Sequence, residues 1–299
     1  MKKAFLVFGI LLFFIAAPAA EKTGPRVYIS VDMEGIWGVV HGNQTSSDSP
    51  EYGAARKWMA EDANAVIAGL FEAGAAEVVV NDSHGSMRNI IADALDPRAS
   101  LISGTPKPLS MMQGIDGTFD ACIFVGYHAR AGTASAILDH TISGGVVRAI
   151  RVNGQEMPEL GLNAAISGYF NVPVIMLTGD TETCAQAKSI LGEGLTTVAV
   201  KEAQGRYAAR NFPRDEARKQ LKEGAKAALL KKSQAAVFRL KAPYKFELDV
   251  NNSYQAELPC LVHLIKRSSP RTVEFTSDDY LVGFKLLRAA IALAGISYN

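Results

Sequence analysis

The sequence predicts an α/β protein, a parallel-rich sheet with helices on both faces over residues 26–201 followed by a smaller α+β lobe over residues 202–299. Three features carry that expectation. Short apolar runs alternate with segments whose apolar residues recur at helical spacing, the pattern of β-α-β units. Several of those runs, such as Val172 to Leu177, are apolar without interruption, as strands covered on both faces are. Beyond Glu202 the texture changes, and Tyr244 to Val250 alternates apolar with polar residues like a half-exposed antiparallel strand.

The elements follow in order. Val27 to Val31 is a β-branched run ending at Asp32 and Glu34, and a Gly- and Ser-rich loop leads from Gly35 to Pro50. From Glu51 to Phe71 the residues Met59, Ala63, Val66, Ile67 and Leu70 share a helical face, and Gly74 ends that helix before a strand over Glu77 to Val80. Gly104 to Gly117 reads as a loop with one helical turn, and Ala121 to Val125 is a third strand. Val146 to Val152 is a strand turned by Asn153-Gly154, a dipeptide that accepts the positive φ angles of a tight hairpin. Pro158-Glu159 opens a helix that runs to Tyr169, its carboxylate in the first turn where it meets the positive end of the helix dipole. Val172 to Leu177, a further helix and Thr196 to Val200 complete the first layer structure. In the second lobe, Pro213 to Lys232 is an amphipathic helix, Leu261 to Ile265 and Thr272 to Phe275 are expected to pair with Tyr244 to Val250, and Ser277 is expected to cap a final helix along Leu281, Phe284, Leu287 and Ala290.

Composition narrows the function classes. Lys2 and Lys3 precede an uncharged apolar run from Ala4 to Ala17, and Ala17-Pro18-Ala19 offers the small residues a signal peptidase reads, so residues 1–20 are expected to be a signal peptide and the mature protein exported, periplasmic or extracellular. The run is shorter than the ~20 residues of a membrane span. Cleavage takes two of the 31 basic side chains, leaving 29 against 30 acidic ones and a net charge of −1. A near-neutral chain argues against nucleic acid or an anionic membrane as partner. Cys122, Cys184 and Cys260 are far apart, lack CxxC spacing and resemble buried small hydrophobes, which excludes a thiolate zinc site.

The chemistry concentrates at strand ends. Asp32 and Glu34, two positions apart, point the same way if the strand continues through them, and adjacent carboxylates repel each other unless a cation lies between them. The second strand runs into Asn81-Asp82-Ser83-His84, and the third into Gly126-Tyr127-His128. In an open parallel sheet the ligand crevice lies beyond the carboxyl ends of the strands. There Asp32, Glu34, His84 and His128, closed off by Glu159, exceed the needs of one zinc and suit two ions sharing a carboxylate, with Asp32 as the bridge. Ion pairs and hydrogen-bonded core histidines are the structural alternative. His140, on a polar loop over the same crevice, is a candidate base or nucleophile. His41 and His263 read as loop or structural residues. On residues alone the function stays open among a dinuclear peptidase, another dinuclear amidase or phosphoesterase, and an exported metal- or solute-binding protein.

Four blocks, Ser30-Val31-Asp32-Met33-Glu34-Gly35, Asn81-Asp82-Ser83-His84, Gly126-Tyr127-His128-Ala129-Arg130 and Glu159-Leu160-Gly161-Leu162-Asn163-Ala164, resemble the signature of the zinc D-aminopeptidases in order and spacing. The resemblance implies two zinc ions per subunit. Asp32 would bridge them, Glu34 and His84 would complete one site, and His128 and Glu159 the other. It further implies that His140 is the catalytic histidine, that the substrate is a short peptide with a D-residue such as D-Ala at its N-terminus, and that subunits form a ring-like homo-oligomer, a decamer being one such size.

Overall fold

The computed structural model describes residues 23–296, so the expected signal peptide over residues 1–20 lies outside the described residues. In chain order the regular elements are β1 Arg26–Val31, α1 Gly42–Thr45, α2 Tyr52–Glu72, β2 Glu77–Asp82, β3 Ser100–Ile102, β4 Ala121–Val125, β5 Val147–Val152 and β6 Gln155–Glu156. They continue with α3 Glu159–Tyr169, β7 Val174–Asp180, α4 Thr181–Leu191, β8 Thr196–Gly205, β9 Ala208–Asn211 and α5 Arg214–Leu230. The last group is β10 Tyr244–Val250, β11 Lys266–Ser269, β12 Thr272–Ser277 and α6 Tyr280–Ala294.

A seven-stranded sheet runs in the order β3-β2-β1-β4-β7-β8-β9, parallel except for the β8–β9 hairpin at its edge. β1 is flanked by β2 on one side and β4 on the other, so strand order reverses beside it, and that reversal is where a crevice opens in such sheets. Alternation along β1 divides the core. Val27, Ile29 and Val31 join one apolar cluster with α2 and α5, while Tyr28 joins another with α3 and α4. The sheet is therefore covered on both faces, as its uninterrupted apolar strands required.

A second, antiparallel sheet of five strands runs β11-β12-β10-β5-β6. Asn153 and Gly154 both take positive φ between β5 and β6, the hairpin turn that Asn-Gly favours. This sheet contributes Ile150, Phe246, Leu248 and Phe275 to the same cluster as α3 and α6, so one apolar core joins it to the larger sheet. Because β5 and β6 come from before residue 201, while β9 and α5 come from after it, the two sheets exchange chain across that point.

Three expectations change in the structure. β1 ends at Val31, and residues 32–34 form a turn and not further strand. Leu261 to Ile265 is not a strand: Leu258–Leu261 is a 3₁₀ turn with Pro259 near its start, and the strand that pairs with β12 is Lys266–Ser269. Cys260 N, Val262 N and Ile265 N donate to Glu257 O, Pro259 O and Val262 O, so local turns take donors that a strand ladder would need. The cap of α6 is Asp279, whose carboxylate accepts from Val282 N at 2.9 Å, while the Ser277 hydroxyl donates to the Asp279 carbonyl. Among the described residues, no helix is long and apolar enough to cross a membrane.

Candidate metal centre

The loop that leaves β1 is tied to the end of β4. Asp32 N donates to Val125 O and Gly35 N to Gly126 O, each at 2.8 Å. That approach explains two glycines: a Cβ on Gly35 would strike the Tyr127 carbonyl, and one on Gly126, at φ +70°, would strike the Asp32 carbonyl. Below the loop the ammonium of Lys201, wholly buried in β8, donates to the carbonyls of Glu34, Ile36 and Val39 at 2.6, 2.8 and 2.5 Å. Three acceptors match the three donors of an ammonium. Lys201 therefore fixes the segment that carries Glu34, a role that sequence reasoning missed. The only sign was a lysine directly after the apolar run Thr196 to Val200.

All the expected site residues meet at the carboxyl ends of β1, β2 and β4 and the first turn of α3. His84 Nδ1 lies 3.0 Å from Glu34 Oε2 and 3.3 Å from Asp32 Oδ1. His128 Nε2 lies 3.5 Å from Asp32 Oδ2 and 3.3 Å from Glu159 Oε1. Each imidazole is anchored through its other nitrogen to a backbone carbonyl, His84 Nε2 to Thr45 O at 2.9 Å and His128 Nδ1 to Ala129 O at 3.0 Å. A carbonyl only accepts, so the anchored nitrogen carries a hydrogen and the other faces carboxylate oxygens. Between that second nitrogen and the carboxylates a positive charge is required, a proton in the metal-free chain or a metal ion when one is bound. His128 Nε2 is in addition buried without a hydrogen-bond partner. The donor set, imidazole nitrogens with carboxylate oxygens, suits zinc, and Asp32 offers one oxygen to each cluster.

His140 belongs to the same group. Its ring stacks on that of His128 with centroids 3.9 Å apart. Its Nδ1 donates to Leu138 O at 2.8 Å, which leaves Nε2 as the basic nitrogen, 3.7 Å from Glu159 Oε1. Ligand-type atoms of His128, His140 and Glu159 lie within 4.8 Å of one another, as do those of Asp32, Glu34 and His128. His128 is common to both groups, and His140 stands close enough to His128 and Glu159 to be a ligand itself. The anchored Nδ1 and the opening of Nε2 toward the cavity fit proton transfer as well.

Electrostatics follow from crowding six ionisable groups out of water. Burial, with Glu34 alongside, lifts the Asp32 carboxyl to about 7. Burial opposes the charges on Glu34 and Glu159 too, but His84 holds Glu34 well below the usual carboxylate range, and His128 brings Glu159 down to about 2. Against their own burial, Glu34 raises His84 well above the ordinary imidazole value and Glu159 raises His128 to about 10. Burial and the neighbouring His128 lower His140. Carboxylates that stabilise positive charge on the anchored imidazoles will stabilise a divalent ion at the same nitrogens.

A network of buried hydrogen bonds holds these groups in place. The Ser30 hydroxyl donates to Met111 O at 2.8 Å and meets Ser83 Oγ at 2.7 Å and Tyr127 Oη at 2.8 Å, while Asn163 Nδ2 donates to Tyr127 Oη at 2.9 Å. The Asp82 carboxylate accepts from Asn89 N and Ile90 N, and Asn89 Nδ2 donates to His84 O, which fixes the loop bearing His84. Ser30, Asp82, Ser83, Tyr127 and Asn163 sit inside the sequence blocks that contain the candidate ligands, where proximity in the chain was the available signal, whereas Asn89, Ile90 and Met111 lie outside them. His41 and His263 lie apart: the former caps α1 through Asn43 N, and the latter is exposed in the turn before β11.

Comparison with known proteins agrees with this geometry. Residues 26–289 match the family model described as D-aminopeptidase. A D-aminopeptidase of Bacillus subtilis (strain 168) is 36% identical over 270 residues, spanning 90% of this chain and 97% of that one. The solved structure of a Zn-dependent D-aminopeptidase, DppA, from Bacillus subtilis, described as a self-compartmentalizing protease, superimposes with a TM-score of 0.89 at 35% identity, covering 92% of this chain and 99% of that one. The chain belongs to the D-aminopeptidase family.

Proposed function

We propose that this protein is a zinc aminopeptidase that removes N-terminal D-residues, D-Ala among them, from short peptides, with two ions per subunit held by Asp32, Glu34, His84, His128 and Glu159. The observation that carries the reading is the pair of carbonyl-anchored imidazoles converging on the two oxygens of one carboxylate, Asp32. Zinc bound there would polarise the scissile carbonyl and bring the pKa of a coordinated water toward ~7.

The chain's own residues do the rest. His140, with its hydrogen on Nδ1 and its Nε2 basic, can take a proton at Nε2 and return it to the leaving amine, the task imidazole performs near neutral pH. The alternative role, direct attack by the same nitrogen, uses the same tautomer. Asp32 and Glu159 line one wall of the cavity, and a metal ion held there would offer a free α-amine a coordination position that a blocked amine cannot use. Lys201 and the Ser30 network keep these groups from relaxing apart.

Export of the mature chain, supported by the run from Ala4 to Ala17 behind Lys2 and Lys3, and assembly into a ring, supported by the self-compartmentalizing relative, belong to the same reading. The test is a panel of D- and L-aminoacyl di- and tripeptides with the zinc-loaded protein. Release of the N-terminal D-residue, abolished by chelation and by His140→Ala, is the expected result. Folded, zinc-loaded protein inert on the whole panel would overturn the assignment, and a solute-binding protein would keep its ligand affinity in His140→Ala.

A further inference from the structure

The cavity beside the site has a cation that nothing so far employs. Arg288, partly buried on α6, lines a cavity of about 150 Å³ together with Asp32, His84, His140 and Glu159. The same side chain borders a smaller apolar hollow walled by Met111, Ile142, Leu162 and Phe284. Among the described residues the guanidinium has neither an ion pair nor a hydrogen-bond partner. Glu159, the carboxylate whose charge it feels, has its Oε1 taken by Ile142 N at 2.5 Å and turned toward His128 and His140. A partly desolvated, unpaired guanidinium costs free energy, and its planar fork matches one kind of group especially well, a carboxylate.

We propose that Arg288 receives the C-terminal carboxylate of a dipeptide whose free amine faces the metal ligands Asp32 and Glu159. The proposal rests on the peptidase reading for its substrate and adds the feature that sets substrate length. A dipeptide with a free amine at one end and a carboxylate at the other is complementary to a cavity with those metal ligands on one side and a lone cation on the other. The cavity is smaller than the ~300–1,000 Å³ of pockets that take larger ligands, and two residues in extended form span only about 7 Å. The apolar hollow next to Arg288, about 10 Å³, admits no more than a methyl-sized group such as the side chain of alanine. A longer peptide would place an amide where the guanidinium expects charge.

The test compares D-alanyl-D-alanine with D-alanyl-D-alaninamide, which differ only in that carboxylate. The wild-type protein is expected to favour the acid in kcat/KM by on the order of 10- to 100-fold. Arg288→Gln should lose that preference through KM for the acid and leave the amide within about twofold, and Arg288→Lys should retain part of it. Calorimetric binding of both compounds to zinc-loaded His140→Ala, with and without Arg288→Gln, reads the same preference without turnover. Equal treatment of acid and amide by the wild type, or an equal loss on both in a folded Arg288→Gln protein, would overturn the clamp while leaving the peptidase reading intact. A protein that hydrolyses neither compound yet binds the acid more tightly through Arg288 would keep the clamp and remove the peptidase.

Discussion

Two buried regions of this molecule are built on opposite terms. Beyond the ends of β1, β2 and β4 the chain hides Ser30, Asp32, Glu34, Asn81, Asp82, His128 and Glu159. Beneath the antiparallel sheet it hides Phe246 stacked on Phe275, with Tyr280 and Leu287 beside them. The first arrangement costs stability, because each polar group must find a partner and two carboxylates share one site. The second is held by apolar area and close packing. The difference separates a region selected for what it binds from one that only has to fold.

Substitutions can break or sharpen that contrast. The largest effect is expected at Asp32, whose replacement by Ala takes an oxygen from both clusters. Catalytic efficiency should fall on the order of 10³-fold or more, by removing several kcal/mol of charge stabilisation, while thermal stability of the metal-stripped protein stays level or rises, since a buried carboxyl lifted to about 7 is under stress. A steady-state assay and a melting curve on the one variant read both. Phe246→Ala should do the reverse: about 3–5 kcal/mol of unfolding free energy is lost, yet zinc per folded chain is unchanged, as chemical denaturation and metal analysis would show.

Ser30→Ala lies between the two. It leaves Met111 O, Ser83 and Tyr127 short of a shared hydroxyl, which should cost roughly 1–3 kcal/mol and weaken zinc about 10- to 100-fold, measured by chelator competition. The smallest expected effect is on pH. His84 and His128 are raised, so in the metal-stripped protein their contribution is complete below the free imidazole value of about 6.5 and is lost as pH rises, toward about 10 for His128. Asp32 has the same sign, its contribution lost as pH rises through about 7. The lowered Glu34 and Glu159 lose theirs only in acid. Zinc displaces the imidazole protons, so the melting temperature of the zinc-loaded form should draw further above that of the stripped form between pH 6 and 8.

The contrast also explains what could be read from the chain beforehand. Asp32, Glu34, His84 and His128 were legible because each follows an apolar run, and a parallel sheet gathers such ends into one crevice; Glu159 was legible as the opening of a helix and His140 as part of a polar loop beside them. Lys201 and Arg288 were not, because a lysine within β8 and an arginine on α6 look like ordinary surface charges until the fold buries them. The parallel strands could be read from their unbroken apolar stretches. Leu261 to Ile265 misled for the same reason, since an apolar run looks like a strand although here Val262 N and Ile265 N close local turns. Nor could sequence texture reveal that β5 leaves the larger sheet to pair with β10, a contact between residues about a hundred positions apart.

That Asp32 serves two ions is tested most directly by metal counting on the purified protein. Zinc measured by mass spectrometry against chain concentration should give two ions per wild-type subunit, about one in Glu34→Ala and close to none in Asp32→Ala. A single ion in fully active wild-type protein, or two ions retained by Asp32→Ala, would contradict it.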